Sequence, residues 1–133
     1  MKKMLSLVLL IAASVTCSAQ CDKKLLFSSS KTDHMENGSL LFTKEETVVL
    51  QVDRSSISLT IDGEQKGLMA ITSQTCSWPV PFKEGQSTFN VSMGDDTYSL
   101  AIEGKEGKIY LTAQKDGVGN PMRMLADRFE EGK

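Results

Sequence analysis

The residues that could do chemistry in this 133-residue chain are few, and their spacing matches no reaction. The one histidine, His34, lies in the polar stretch Asp33-His34-Met35-Glu36-Asn37-Gly38. Pairing it with Asp33 or Glu36 would suggest a metal or acid/base site, but one histidine among carboxylates lacks the ligand spacing of zinc sites. The reading of this stretch is a solvated loop. Serine catalysis needs a base and a strained elbow, and no Gly-x-Ser-x-Gly occurs. Cys76 as a nucleophile would need His34 brought to it in space. Paired carboxylates can always be chosen among 17 acidic residues, so their presence carries no weight. Glu103 to Lys108 is glycine-rich, but no helix start follows it, so it reads as a charged hairpin tip and not a phosphate cradle. The expectation is a protein that is not an enzyme and uses no metal or cofactor. A hydrolase stays as a third reading, needing a buried cysteine or carboxylate with a shifted pKa in a cleft.

Two features remain, the cysteines and a Trp/Pro stretch. Met1-Lys2-Lys3, the apolar run Leu5 to Val15 and the small residues Ser14 to Gln20 have the order of a secretory signal peptide. The run is short of the roughly 20 apolar residues that span a bilayer. Cleavage after Ala19 puts Cys17 and Ala19 at −3 and −1 and leaves Gln20 at the mature end. The domain expectation is therefore 1–19 as signal peptide and 20–133 as a single β domain, periplasmic or secreted. Cys21 and Cys76 survive that cleavage, and an even pair in an oxidising compartment is most simply a disulfide. The alternative is acylation of Cys21, giving a lipoprotein anchored to the outer membrane, although Gln20 is a poor residue before a lipidated cysteine. The two fates compete for one sulfur.

Cys76-Ser77-Trp78-Pro79-Val80-Pro81-Phe82-Lys83-Glu84-Gly85 holds the only tryptophan and two of the three prolines. Prolines two apart interrupt central-strand pairing, so the segment is an edge or a connection. Trp78, Pro79, Pro81 and Phe82 could form a binding edge. The competing reading has Trp78 and Phe82 plugging one end of the fold beside Cys76.

The elements that must position these residues are short strands. From Glu46 to Gln114 apolar residues recur with period two: Val48, Leu50, Val52; Ile57, Leu59, Ile61; Met69, Ile71; Phe89, Val91, Met93; Tyr98, Leu100, Ile102; Ile109, Leu111, Ala113. Asp62-Gly63, Gly94-Asp95-Asp96 and Gly104-Lys105-Glu106-Gly107 supply hairpin turns. Lys24 to Ser30 and Leu40 to Phe42 add two strands joined by the loop around Asp33 to Gly38. After the breaker Gly117 to Pro121, Met122 to Glu131 reads as a short C-terminal helix or a last edge strand. The fold class is all-β, an antiparallel meander forming a lipocalin-like barrel or half-barrel, with a two-sheet β-sandwich as the alternative.

Without Lys2 and Lys3 the balance is 13 basic against 17 acidic residues, a net charge of −4. Nucleic acid and anionic lipid find no basic stripe to meet. Membrane contact is expected only through lipidation of Cys21. The mature sequence also resembles a group of short exported proteins from Bacteroidetes-type bacteria, in which no activity is established. The resemblance rests on Cys21-Asp22-Lys23-Lys24, Ser29-Ser30-Lys31-Thr32, Cys76-Ser77-Trp78 with its Pro-Phe-Lys-Glu-Gly, Ile102 to Lys108, and Asp127-Arg128-Phe129-Glu130-Glu131. It implies export and the pairing of Cys21 with Cys76, and brings no activity. The functional expectation is an exported domain that binds a small apolar ligand, a glycan or a protein; the alternative is a structural or interaction lipoprotein of the envelope.

Overall fold

The structure, a computed structural model, describes residues 23–117 and 119–132. The expected signal peptide at 1–19 and Cys21 lie outside them.

Nine strands follow one another: β1 (Leu25–Glu36), β2 (Ser39–Val52), β3 (Ser56–Ile61), β4 (Glu64–Val80), β5 (Glu84–Met93), β6 (Asp96–Lys105), β7 (Lys108–Lys115), β8 (Met122–Leu125) and β9 (Arg128–Glu131). Each of β1 to β7 pairs antiparallel with the next, and β8 pairs back to β1, which closes the meander into a barrel. The open sandwich is therefore not formed. Two-residue turns fix the registers. Asn37-Gly38, Asp62-Gly63 and Glu106-Gly107 all have positive φ at both positions, the type I′ geometry whose twist matches that of the flanking strands.

One sequence expectation is corrected and one choice between two is resolved. Asp33 to Glu36 is not a loop; it is the upper half of β1, paired with β2 through His34↔Phe42 and Asp33↔Thr43. Its polarity disguises it, because both faces lie near the barrel's end. Of the two readings of Met122 to Glu131, the helix is absent and the strand forms, as β8 and β9 broken at Ala126-Asp127. Those two amides still donate to strand neighbours, Ala126 to the Ile109 carbonyl and Asp127 to the Ser28 carbonyl, so β8 and β9 act as one kinked staff of the barrel.

Inward side chains from all the strands of the barrel wall make one core, with Phe27, Val48, Ile57, Val91, Ile102 and Leu111 fully buried. Outward positions are polar in long stretches, as with Asn90, Ser73, Ser99 and Asp116, which share hydrogen bonds from β4 to the end of β7. This apolar-in, polar-out alternation is the reverse of a lipid-embedded barrel. In β1 the inward sequence jumps from Ser29 to Thr32, because a bulge at that point re-aims the strand. The Ser29 hydroxyl donates to the Lys31 carbonyl within the bulge.

Candidate functional site

One end of the barrel, here the lower end, holds both chain termini of the described residues and the Trp/Pro stretch. Pairing between β4 and β5 skips from Ser77↔Gln86 to Val80↔Glu84, so the break falls at Trp78-Pro79, where a proline removes a ladder donor. The freed turn closes through the Lys83 amide and the Val80 carbonyl, with Phe82 at φ 59°. Trp78 turns inward and is 8% exposed. Its indole N–H donates to the buried Ser87 hydroxyl at 2.7 Å. Phe129 of β9 completes a trio, 5.6 Å from the Trp78 ring and 5.3 Å from the Phe82 ring. The second of these contacts is edge-on, an arrangement that the charge distribution of aromatic rings favours. Two glycines make room. A Cβ on Gly104 would lie 2.5 Å from the Lys83 carbonyl oxygen and 2.9 Å from the indole. Gly85, at φ +146°, would meet the backbone of Ser77 and Trp78.

This geometry is a cap with little room for a guest. The half-open cleft lined by Lys23, Leu25, Trp78, Pro81, Phe82 and Phe129 holds about 20 Å³. That is enough for about one water molecule. Of the proposed edge, Pro79 and Pro81 are exposed, Phe82 is half-buried and Trp78 is buried, so the four residues do not present one surface. Cys76 is half-buried on β4 just before the cap, and its sulfur is not free. Cys21 lies outside the described residues.

The upper end differs. β2 is fourteen residues long and β3 only six, and the β2–β3 ladder stops at Val48↔Ile61. A last link joins the Asp62 amide to the Thr47 carbonyl, while the Asp62 carboxylate accepts from the Thr47 amide. Beyond it, residues 39–46 pair with β1 on one side and with no strand among the described residues on the other. That open edge carries Leu40, Leu41 and Phe42, exposed by 58, 57 and 50%. The sequence indicates a strand there and attaches no function to it. Runs of three large apolar residues also occur at Leu25 to Phe27 and Val48 to Leu50, so the run at Leu40 to Phe42 does not by itself mark this edge in the sequence.

His34 stacks on Phe42 with ring centroids 4.3 Å apart and planes 13° from parallel, which stiffens the base of this tip. On the other side of β1 the Met35 amide donates to the Pro121 carbonyl, so the hairpin is braced on its β8 flank and bare on its β2 flank. Lower on the same face, Glu46 approaches Lys44 at 3.4 Å and accepts from the Thr32 hydroxyl at 3.4 Å. These contacts satisfy the carboxylate at the barrel mouth. His34 thus has an aromatic partner, and no group of three or more His, Cys, Asp or Glu able to hold a metal occurs among the described residues.

Comparison with known protein families, curated proteins and solved structures returns no match. The site must be read from its own geometry.

Proposed function

We propose that this is an exported, non-enzymatic binding domain of the bacterial envelope that works through its outside, by adding a strand of a protein partner to the open edge of β2. The observation that carries the reading is the overhang itself: residues 39–46 form strand that pairs on one side only among the described residues, tipped by Leu40, Leu41 and Phe42. A free strand edge offers unpaired amides and carbonyls, and folded proteins ordinarily blunt such an edge with charges or bulges. Here Lys44, Glu45 and Glu46 do so only for its lower half. Strand addition takes its affinity from the main chain and its selectivity from alternate side chains. The filled interior favours this outer surface over carriage of a small ligand in the lumen, which the large, fully buried Phe27, Ile57, Ile102 and Leu111 occupy.

Export, the signal peptide at 1–19 and the Cys21–Cys76 bridge belong to the same proposal. The bridge would tie the mature N-terminus to β4 beside the cap, at the end opposite the β2 tip. If Cys21 were acylated instead, the anchor would still sit at the lower end and hold the tip away from the membrane. Either attachment leaves the proposed edge accessible.

The test is a charge-bearing triple variant, Leu40→Ser, Leu41→Lys and Phe42→Ser, assayed by isolating complexes from crosslinked envelopes of the producing cell. Loss of a defined, mass-identified complex with an unchanged melting curve is the expected outcome. Full recovery of that complex would remove the β2 edge from consideration.

A further inference from the structure

β4 has an open flank of its own toward the lower end. Its ladder with β3 ends at Ser56↔Ala70, with a last link from the Ile71 amide to the Ser55 carbonyl. A bulge at Thr72 follows. Below it, residues 73–78 pair with β5 and, among the described residues, with no strand on the flank that β3 leaves. Ser73 to Trp78 contains no charged residue and no proline to blunt that flank. An unpaired strand edge recruits other strands unless something covers it.

Cys76 lies within that stretch. It stands opposite the buried Ser87 and packs against the core, and its sulfur is not free. The chain that enters β1 arrives at the same place, since Lys23 and Trp78 line one cleft. β1 is held as far down as Lys24, whose carbonyl accepts from the Gly132 amide, and the chain bends at Lys23. Cys21 is two residues before Lys23, as Cys76 is two residues before Trp78. Two extended residues cover about 7 Å, so the two cysteines stand at matching distances from the shared cleft. Neighbouring strands lie about 4.8 Å apart. Disulfides join Cα atoms about 4.4–6.8 Å apart, so chains lying side by side meet their geometry.

We infer that the chain's own segment ending at Lys23 occupies this flank: Cys21 to Lys23 runs beside Cys76 to Trp78 as a strap, and reduction of the Cys21–Cys76 bridge releases it. The inference rests on the bridge proposed above and adds what that bridge holds shut. Release takes two electrons, which a dithiol supplies by exchange. Its thiolate attacks one sulfur of the bridge, the Cys21–Cys76 bond breaks to leave a mixed disulfide and a thiolate, and the second thiol closes the reductant's own disulfide. Both cysteines end as thiols, taking up the two protons of the dithiol. Residues 73–78 then become a second strand-accepting edge, at the opposite end of the barrel from the β2 tip.

The experiment is amide hydrogen exchange on the mature protein before and after dithiothreitol, with disulfide-linked peptides mapped by mass in the same samples. In the oxidised protein a linked Cys21–Cys76 peptide is expected, and alternate amides between Ser73 and Trp78 should be protected. After reduction those amides should exchange about a hundredfold faster, while the amides of Ile102 and Leu111 in the core stay protected. A variant lacking residues 20–22 should show the open pattern with and without reductant. A linked peptide found together with amides at 73–78 that exchange equally fast in both states, or that stay protected in the shortened variant, would leave the bridge standing and overturn the strap. Absence of the linked peptide from the oxidised protein would overturn both.

Discussion

The indole of Trp78 decides whether the lower end is a structural cap or a gripping edge, and its removal gives opposite results in the two cases. In Trp78→Ala the cap loses a side chain that is 8% exposed and packed on Phe129. Truncating a buried tryptophan costs about 3–5 kcal/mol where the surroundings collapse only partly. Collapse is limited here, since Gly85 and Gly104 already hold the backbone close to the ring. Within that total, the Ser87 hydroxyl loses its hydrogen-bond partner. A buried group left unpaired costs about 1–3 kcal/mol. For a domain stable by about 5–15 kcal/mol, the change is a large fraction of the whole. With a urea slope of about 2 kcal/mol/M, the midpoint falls by about 2 M. Trp78→Phe keeps the ring contact and loses the N–H, and should cost about 1–3 kcal/mol. Because Trp78 is the only tryptophan, intrinsic fluorescence follows this site alone in the wild type, while far-ultraviolet dichroism follows the variants. A cost below about 1 kcal/mol for Trp78→Ala, or ready quenching of the native indole by acrylamide, would refute the cap.

Other substitutions probe the cap's glycines, the turns and the cysteines. Gly104→Ala pushes a methyl against the Lys83 carbonyl and the indole. It should destabilise by about 1–3 kcal/mol, read by the same urea titration. Gly38 sits at φ +80° with open space around it. Gly38→Val should therefore cost about 1–2 kcal/mol in turn strain alone, and a neutral result would mean the β1–β2 turn is not type I′. If Cys21 and Cys76 are bridged, Cys76→Ser or reductant should lower stability by about 4 kcal/mol by the chain-entropy relation for a loop of that length. An intact mass unchanged by reductant and raised by acyl chains would assign Cys21 to the lipid instead.

Much of the wall is legible because it alternates. Val48 to Val52, Phe89 to Met93 and Ile109 to Ala113 each put one face into the core, and Asp62-Gly63 and Glu106-Gly107 supply the backbone shapes that return a two-residue hairpin. The failures have physical causes. Asp33 to Glu36 is strand without apolar alternation, since near the barrel mouth neither face is deeply buried and pairing with β2 orders it. Met124 and Leu125 with Phe129 suit a helical stripe, Leu125 and Phe129 being four apart, yet the kink at Ala126-Asp127 lets Met124 and Phe129 pack on the core from strands. That kink depends on acceptors at Ile109 and Ser28, far away in sequence. Trp78 illustrates the same limit: its type favours either a hot spot or a core, and only the position of Phe129 and Ser87 decides. The β2 edge is least legible, because it arises from the mismatch in length between β2 and β3, which no local pattern records.

The most direct test of an outward-working edge is site-specific photocrosslinking in the producing cell. A benzophenone side chain is placed at Leu41 on the bare flank of β2, and separately at Thr112 on the outer face of β7. Working through β2 predicts a discrete adduct of one identified partner from position 41, lost when Leu40 and Phe42 are changed to serine, and none from position 112. Adducts of equal yield from both positions, or none from position 41, would contradict it.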